Sequence, residues 1–532
     1  MPVVLGKQTR RVRFDMVYPC IVIIAVFILL YWLLKINKEY YVLAFFARRA
    51  RATDGRFVDN IAPTLKGNTI FGNVFDLCGK DDAGTFRYYR DAALEIGKSY
   101  LIYAFGSPMY NIIDPVNAEF VLSNTTLITK SIDYDFMQPA LHKGLLTSTG
   151  KKWHTRRKMI TPTFQHNVLV QFEEIFRAES QKFVRQFEHE EESIVSLTEL
   201  IPRFSLNSIC ETAMGINLDD MTERGDRYRE SMKMFEKCFV KTFTNPLHYY
   251  GAIYKLFPIN ENIPYLKVVH EFTNDIIAKR RILLEEELNE RRCHQLPDDD
   301  IYVNMKRRFA MLDTLICAEK DGLIDHAGIC EEVNTLMFGG FDPSSIALMF
   351  TIFNLSLYED MQELCYQEIS EHIHDQNNFD INQLSNLKYL ERFIKETLRI
   401  FPPVPIIGRQ TSEETVLPNG LILPTGSQIM MHVFDLHRNP KYWDNPNVFD
   451  PDRFLPENSL KRHAYSYIPF SMGLRNCLAQ QYFMILIKTL LCFILKKFKI
   501  LPVTTSQDLV FHMGLTLRVA NNIKVKFVLR NK

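Results

Sequence analysis

The segment PFSMGLRNCLAQQ, residues 469–481, contains the residues best suited to bind a cofactor. Cys477 precedes an apolar run that reads as a helix, and the positive end of a helix dipole favours a thiolate. Gly473 allows the backbone to approach a flat ligand closely. Phe470 offers a ring beside the sulfur, and Arg475 offers a cation to an anionic group. Together these residues suit heme, whose iron accepts an axial thiolate and whose propionates are anions.

The remaining cysteines do not point to a second metal site or to disulfides. A single free cysteine is more often a buried structural residue than a ligand. The ten cysteines are scattered without any Cys-x-x-Cys pair, which is typical of a reducing compartment and argues against structural zinc. The formal net charge of +1, without a long block of one sign, gives no reason to expect a nucleic-acid partner.

The composition and periodicity of the chain predict one large, mainly helical unit. The 532 residues are 47% hydrophobic, which is enough for a sizeable core. From residue 81 onward most segments have helical periodicity, and the strand signals are short. Hairpins are predicted over 99–114 and 415–434, and a third strand pair is predicted from 499–504 and 523–529. The predicted fold class is therefore mainly α with small β-sheets.

Residues 16–34 predict a transmembrane signal anchor. They carry no charge, and about 20 apolar residues suffice for a helix to cross a bilayer. A cleaved signal peptide would have a shorter apolar region and a small-residue cleavage site. Basic residues are nearly balanced on the two sides, so the positive-inside rule does not fix the orientation. The predicted division is a short basic N-terminus over 1–15, the anchor, a linker over 35–65 and a globular domain over 66–532.

The cysteine segment resembles the heme-binding loop of the cytochrome P450 superfamily, Phe-x-x-Gly-x-Arg-x-Cys-x-Gly. Phe470, Gly473, Arg475 and Cys477 match, and Ala479 stands where the superfamily usually has glycine. The resemblance implies the cytochrome P450 fold, a large helical domain with a small β-rich region, and heme b bound non-covalently. It also makes Cys477 the axial ligand of the heme iron, a ligation that favours O–O cleavage.

Three further motifs occur in the order that the superfamily has. The segment KKWHTRRK matches its Trp-x-x-x-Arg helix at Trp153 and Arg157, and KETLRIFPPVPIIGR matches its Glu-x-x-Arg helix at Glu396 and Arg399. The segment FDPDRF matches the following region, with Arg453 as the third member of a charge cluster. One such motif has little weight, whereas four in order are specific. The amino-acid sequences of these segments are most similar to the family 4 branch, which includes many insect members.

The resemblance assigns a role to each of these residues. Glu396 and Arg399 lie three residues apart, on one helix face where they can pair. With Arg453, this pair would support the cysteine loop from behind. The two heme propionates suit the forked donors of arginine. They would be held by Trp153, Arg157, Arg409 and Arg475.

The distal helix, predicted within 330–364, departs from the superfamily pattern. The superfamily carries Ala/Gly-Gly-x-Asp/Glu-Thr-Thr/Ser where this chain has GGFDPS. By resemblance, Gly340 would leave room for oxygen and Asp342 would carry protons inward. Pro343 replaces the threonine that completes the proton relay, and Ser344 or Ser345 would supply a substitute hydroxyl. A proline inside a helix also removes a backbone N–H and favours a kink.

Gly339 bears on how the heme is held. Many family 4 members carry a glutamate at this position, which can form an ester with a heme methyl group. Because Gly339 cannot form that ester, the heme is expected to be exchangeable. The substrate cavity is expected to be lined by residues 134–137 and 235–250 and by Phe341, which are apolar and aromatic, as for a lipid-like ligand.

The resemblance implies an oxidoreductase, a microsomal monooxygenase anchored in the endoplasmic reticulum membrane with its catalytic domain on the cytoplasmic side. Such an enzyme inserts one oxygen atom from O2 into a hydrophobic substrate, here fatty-acid-like, hormone-like or xenobiotic. Its electrons come from NADPH–cytochrome P450 reductase, with cytochrome b5 as a second donor. Pro343 keeps two alternatives open, namely a heme-thiolate isomerase or dehydratase acting on peroxides, and a non-catalytic protein that binds heme and a ligand.

Overall fold

The structure is a computed structural model that describes residues 49–53, 58–68, 72–77, 80–104, 106–244, 263–293, 310–376 and 378–530. The anchor predicted over 16–34 lies outside these residues, as do parts of the predicted linker. The division of the chain into anchor, linker and domain therefore stays a prediction. The predicted fold class, mainly α with small β-sheets, is confirmed.

Twelve helices of nine or more residues form nearly half of the described chain. They are α1 (Asp82–Ile96), α2 (Pro115–Ser123), α3 (Gly150–Ile160), α4 (Glu173–Arg185), α5 (Leu197–Ala213), α6 (Thr222–Thr244), α7 (Ile263–Cys293), α8 (Met311–Lys320), α9 (His326–Leu357), α10 (Glu359–His372), α11 (Lys388–Ile400) and α12 (Gln480–Lys497). Shorter helices and 3-10 turns connect them, and the 3-10 turn Ile132–Met137 is the one that bears on the site.

The described strands form four small sheets. They are β1 (Arg51–Ala52), β2 (Tyr100–Ala104), β3 (Ser107–Ile112), β4 (Glu192–Ser196), β5 (Ile406–Gln410), β6 (Thr415–Val416), β7 (Leu421–Leu423), β8 (Gln428–His432), β9 (Phe498–Pro502), β10 (Phe511–His512), β11 (Arg518–Val519) and β12 (Lys524–Leu529). The sheet orders are β2-β3-β8-β5, β1-β7-β6, β4-β12-β9 and β10-β11. The three predicted antiparallel pairings are confirmed as β2 with β3, β6 with β7 and β9 with β12.

Helix α9 forms the centre of the core. It begins after Asp325, whose carboxylate caps the helix by accepting the Gly328 N–H at 2.8 Å, and it continues unbroken through Pro343. It packs against α5, α7, α8, α10, α11 and α12. Among the described helices it is the one long and apolar enough to cross a membrane, yet 83% of its most apolar window is buried inside the protein. It is therefore a core helix rather than a second anchor.

Gly340 explains how closely helices α9 and α5 approach each other. A Cβ atom at this position would lie 2.5 Å from Cγ1 of Ile209 on α5. Any larger residue would force the two helices apart, because real Cβ contacts are not that short. The neighbouring Gly339 is different, since a Cβ there would meet nothing within 4 Å. Gly340 thus serves helix packing, and Gly339 opens onto free space.

Candidate heme site

An interior cavity of about 350 Å³ lies against helix α9. Its wall is completed by helix α3, the turn Ile132–Met137, and the loops 403–408, 468–479 and 513–516. Most of the lining side chains are apolar. The acidic, basic and thiol groups among the described residues of the wall are Lys130, Asp133, Arg157, Arg475 and Cys477.

The loop before helix α12 presents Cys477 to this cavity. The Cys477 N–H donates to the carbonyl oxygen of Phe470 at 2.9 Å, which closes the loop into a compact turn. Gly473 has a φ of +72°, and a Cβ there would lie 1.9 Å from the carbonyl oxygen of Leu122. Glycine is therefore needed for the left-handed backbone and for the close approach to the end of helix α2. The predicted turn is present, but this close contact is with the protein rather than with a ligand.

The Cys477 thiol faces the cavity although it lies deep in the protein. Burial raises the pKa of this thiol, whereas a hydrogen bond from the Ala479 backbone N–H and the charge of Arg157 lower it. Both of the lowering interactions favour a thiolate, which is the form that binds a metal. The ring of Phe470 also lines the cavity and lies 5.9 Å from the ring of Phe483.

Two arginines, Arg475 and Arg157, line the same cavity as Cys477. Arg475 donates to three backbone carbonyl oxygens, and its guanidinium lies 4.3 Å from the centre of the Trp153 ring. Arg157 donates to the backbone and side-chain oxygens of Asn476 at 2.8 and 2.6 Å. Trp153 and Arg157 both come from helix α3, so the Trp-x-x-x-Arg spacing places them on one helix face, one turn apart. All three predicted residues therefore line the cavity beside the cysteine loop.

Two further cations lie close by. Arg409 on strand β5 is 2% exposed and donates to the carbonyl oxygen of Gly408 at 2.9 Å. It stands behind the cavity wall rather than among the lining residues. Lys130, which the sequence motifs did not reveal, lines the cavity with its ammonium 4.3 Å from the centre of the Tyr134 ring.

These cations destabilise one another's charge. Burial, followed by the charges of Arg409 and Arg157, lowers the pKa of Arg475 to about 9. Burial, Arg409 and Arg475 also lower the pKa of Lys130 well below its ordinary value. None of the four cations pairs with a carboxylate of the residues that the structure describes. Because buried charges are normally paired, this end of the cavity fits a ligand with anionic groups, as the two propionates of heme are.

The three residues of the predicted charge cluster contact one another in the structure. Arg399 donates to both oxygens of Glu396 at 2.7 Å, and Arg453 approaches the same carboxylate at 3.4 Å. Arg399 also donates to backbone carbonyls of the segment 437–448, and Glu396 accepts the Asp450 N–H at 2.8 Å. The structure thus brings together the three residues that the sequence predicted as one cluster.

His437 connects this cluster to the cysteine loop. Its carbonyl oxygen accepts from Arg399 at 3.0 Å, and its Nε2 accepts the Ile468 N–H at 2.8 Å, where the loop begins. Burial, with the charges of Arg399 and Arg438, lowers the pKa of His437 to about 3. The ring is therefore neutral at ordinary pH, as an acceptor must be. Sequence reasoning missed His437 because no motif marks it.

The distal residues are divided between the cavity and the helix interior. Gly339, Gly340, Pro343 and Ser344 line the cavity, whereas Asp342 does not. The Ser344 hydroxyl has no hydrogen-bond partner among the described residues. The expectation for Phe341 is wrong, because it packs on the ring of Tyr228 at 6.2 Å and not in the cavity wall. Tyr134, Met137 and Phe239 do line it, while residues 245–250 lie outside the described chain.

Asp342 is held in a buried ion cluster, the Asp342 clamp, which consists of Asp342, Glu236, Thr516 and Arg518. The Arg518 guanidinium and the Thr516 hydroxyl donate to the two oxygens of Asp342 at 2.6 and 2.7 Å. Arg518 also donates to Glu236 at 2.6 Å, and the Thr516 N–H donates to Glu236 at 3.2 Å. Both oxygens of Asp342 are thus engaged, and its predicted role in carrying protons stays a prediction.

A mainly helical domain whose cavity offers a cysteine thiol, with cations that no described carboxylate pairs, is the arrangement of a heme-thiolate protein. Comparison with known proteins agrees, because the Cytochrome P450 family model matches residues 63–527. Cytochrome P450 4p1 of Drosophila melanogaster is 56% identical over 96% of this chain and 99% of its own length. Probable cytochrome P450 4ac1 of the same species is 42% identical over 96% and 98%. Cytochrome P450 4c21 of Blattella germanica is 35% identical over 82% and 87%.

The chain belongs to the cytochrome P450 family. Members of this family bind heme through a cysteine thiolate to the iron, and they are monooxygenases of the oxidoreductase class. The resemblance to the family 4 branch predicted from the sequence motifs is confirmed by these relatives. The roles of the individual site residues toward heme stay predictions.

Proposed function

We propose that this chain is a membrane-anchored monooxygenase that inserts one oxygen atom from O2 into a hydrophobic substrate. Its electrons would come from NADPH–cytochrome P450 reductase, with cytochrome b5 as a second donor, at the endoplasmic reticulum membrane. The observation that carries the proposal is a thiol, Cys477, facing an apolar cavity near four cations that have no carboxylate partner among the described residues.

The cavity residues divide the work of holding the cofactor. Cys477 would bind the iron, and the propionates would be held by Trp153, Arg157, Arg409 and Arg475, with Lys130 as an additional cation. When bound, the heme supplies the oxygen-activating iron chemistry, which thiolate ligation promotes. Because Gly339 carries no side chain that could form an ester, the heme is held without a covalent bond, and acid acetone is expected to extract it.

The remaining cavity residues would bind the substrate and handle protons. The apolar wall, with Phe239 and Leu515 among its members, excludes water and favours hydrocarbon ligands. Gly339 leaves open space against the cofactor side of helix α9. The hydroxyl of Ser344, which has no partner among the described residues, would hold a water in the cavity, at a place turned by about 100° around the helix from the missing threonine hydroxyl. Asp342 can contribute only if the Asp342 clamp opens, since both its oxygens are engaged.

Two observations favour a second candidate function. Pro343 contributes no hydroxyl to the cavity, and Asp342 is tied to Arg518 and Thr516. A protein with a weak proton relay suits reactions that need no external electrons, such as isomerisation or dehydration of a lipid hydroperoxide. The same features suit a protein that binds heme and a ligand without turnover.

One assay separates the three functions. The full-length protein is reconstituted with NADPH–cytochrome P450 reductase and a panel of long-chain acids and alcohols, and NADPH use, oxidised product and H2O2 are measured together. We expect substrate-dependent NADPH use with oxidised product. Turnover of a lipid hydroperoxide without the reductase would favour the isomerase or dehydratase instead. Spectral shifts on ligand addition with no product under either condition would favour the binding protein.

A further inference from the structure

One carboxyl group in the cavity wall has no part in the heme site described above. Asp133 belongs to the turn Ile132–Met137, which also brings Tyr134 and Met137 to the cavity. Its side chain is largely buried, with 8% of the residue exposed. Among the described residues that line the cavity, Asp133 is the only one with a carboxyl group.

The hydrogen bonding of Asp133 is incomplete. The Ser131 hydroxyl donates to its Oδ2 at 3.1 Å, while its Oδ1 has no hydrogen-bond partner among the described residues. The groups that act on its charge are Ser131 and Asp135, and neither is a cation. A buried carboxyl with an unsatisfied oxygen is unusual in a folded protein and calls for a reason.

This environment brings the pKa of Asp133 close to neutral pH. Burial raises the pKa of Asp133 to about 7, against the lowering effect of the Ser131 hydrogen bond, and the charge of Asp135 raises it further. Above pH 7 the carboxyl is therefore ionised and acts only as a hydrogen-bond acceptor.

The heme cannot be the missing partner of Asp133. The propionates are anions, which a carboxylate repels, and the neighbouring cations Lys130, Arg409 and Arg475 already suit them. The complement of a lone carboxyl in an apolar wall is a hydrogen-bond donor. Such a donor must come from the molecule that occupies the cavity together with the heme.

We propose that Asp133 binds a hydroxyl group of the substrate, so that the enzyme selects hydrophobic alcohols over free fatty acids. This inference rests on the proposed function, because it names the substrate class of the same cavity. The hydrocarbon part of the substrate lies against the apolar wall, and its hydroxyl donates to the Asp133 carboxyl. A free carboxylate at the same place meets a second carboxyl and is disfavoured.

The test is a spectral titration of the heme-loaded protein with dodecanol, dodecanoic acid and dodecane at about pH 8.5, where Asp133, whose pKa is about 7, is ionised. The variant Asp133→Leu removes the acceptor and keeps the number and branching of the side-chain heavy atoms. Asp135→Leu is the matched control, because Asp135 belongs to the same turn but is exposed and does not line the cavity. We expect the wild type to bind dodecanol about tenfold more tightly than dodecanoic acid, as a hydrogen bond to a charged group allows. We expect Asp133→Leu to lose this preference and Asp135→Leu to keep it.

A second readout separates binding from a structural role. If Asp133 serves a ligand, replacing an unsatisfied carboxyl by leucine leaves the melting temperature of the ligand-free protein unchanged or raises it. A lower melting temperature, with both ligands weakened equally, would overturn the inference. An unchanged dodecanol preference in Asp133→Leu would also overturn it. If this variant takes up no heme, Asp133→Asn, which keeps the shape and loses the charge, is compared in the same way and must gain affinity for dodecanoic acid.

The two proposals fail in different ways. The reduced carbon monoxide spectrum of each protein is recorded before the titrations. A wild type without the thiolate-type Soret band contradicts the proposed function and this inference with it. A normal band in every protein, with no change in ligand preference, contradicts only the role of Asp133.

Discussion

At the scale of single residues, the proline at position 343 has the most consequence for chemistry. It lies in the cavity wall, where it offers neither a hydroxyl nor a backbone N–H. The adjacent Ser344 also faces the cavity, but one residue of helix turns it by about 100°, so it does not occupy the same place. We therefore expect proton delivery to be a step in which this chain differs from the family pattern.

Restoring the hydroxyl tests this account. We expect Pro343→Thr to lower the ratio of H2O2 released to NADPH consumed severalfold, because a positioned acid–base group contributes about 10²-fold or more to a proton transfer. The measurement is the reconstituted assay with the reductase, and Ser344→Ala in the wild-type background is the companion variant. If Pro343→Thr leaves the ratio unchanged, the proposed consequence of the proline is wrong.

His437 gives a prediction for the dependence of stability on pH. Its folded pKa of about 3 lies below the ordinary value of 6.5, so the folded protein resists a proton that the unfolded chain accepts. Its contribution is full above pH 6.5 and declines as the pH falls, by about 1.4 kcal/mol per pH unit. His437→Gln keeps an acceptor for the Ile468 N–H but does not titrate. From pH 7 to pH 5 the stability of the wild type should therefore fall by about 2 kcal/mol relative to the variant.

Thermal or urea unfolding at the two pH values measures this difference, in which groups common to both proteins cancel. A constant difference between wild type and variant would show that His437 is protonated in the folded state or exchanges with solvent. That outcome would contradict the neutral acceptor assigned to it beneath the cysteine loop.

The residues of the site were predictable from sequence only where a motif fixes them. Cys477, Arg475, Trp153 and Arg157 lie in short segments whose resemblance to the superfamily motifs assigned them to one site. Lys130 belongs to no motif, and it reaches the site because the chain folds that segment against the cations. The sequence did not reveal that Gly340 also permits close packing against helix α5, while its predicted role in leaving room for oxygen stays a prediction.

At the scale of elements, the Asp342 clamp ties three parts of the chain together. Arg518 on β11 joins Asp342 on helix α9 and Glu236 on helix α6, although it lies 176 residues from Asp342 in sequence. The loop 513–516 lines the cavity and ends two residues before Arg518. The clamp therefore positions a part of the substrate wall, and no local pattern in the sequence could have shown it.

Removing the cation should loosen this part of the wall. Arg518→Met leaves two buried carboxylates without their partner, and we expect a loss of unfolding free energy on the order of 1–3 kcal/mol. The side chain is 23% exposed, so the loss should lie below that of a fully buried pair. Arg518→Lys should recover part of it. Chemical unfolding measures the change, and ligand titration reports whether the cavity wall has moved.

An exposed ion pair formed by helix α6, the helix that carries Glu236, provides the control. Arg224 of helix α6 pairs with Asp275 at 2.5 Å, with side chains 60% and 44% exposed. Arg224→Met should change stability by less than about 1 kcal/mol and leave ligand affinity unaltered. Equal losses in Arg518→Met and Arg224→Met would mean that the Asp342 clamp has no special role.

The elements themselves followed well from the sequence. Short β-prone segments with glycine or proline turns predicted the hairpins β2–β3 and β6–β7, and apolar residues at helical spacing predicted helix α9. The grouping of strands into sheets was not predictable, because β3 pairs with β8 and β4 with β12 across hundreds of residues. Such pairings depend on tertiary packing rather than on local propensity.

At the scale of the whole molecule, a predicted membrane anchor precedes the cytochrome P450 domain, for which we propose hydrophobic substrates. Deleting residues 1–34 removes the predicted anchor and leaves the described domain intact. We expect the full chain to resist alkaline carbonate extraction from membranes and the shortened chain to be released by it, since about 20 apolar residues hold a helix in a bilayer. The carbon monoxide spectrum should be the same for both. Retention of the shortened chain after carbonate treatment would contradict the assignment of 16–34 as the anchor.

The bond between the Cys477 sulfur and the heme iron is the claim on which the rest depends. The most direct measurement is the absorption spectrum of the reduced, heme-loaded protein under carbon monoxide, for the wild type and for Cys477→His. We predict that the wild type gives the red-shifted Soret band of thiolate ligation and that Cys477→His gives the band of imidazole ligation. A folded wild type without the red-shifted band, or a variant that retains it, would show that Cys477 is not the ligand.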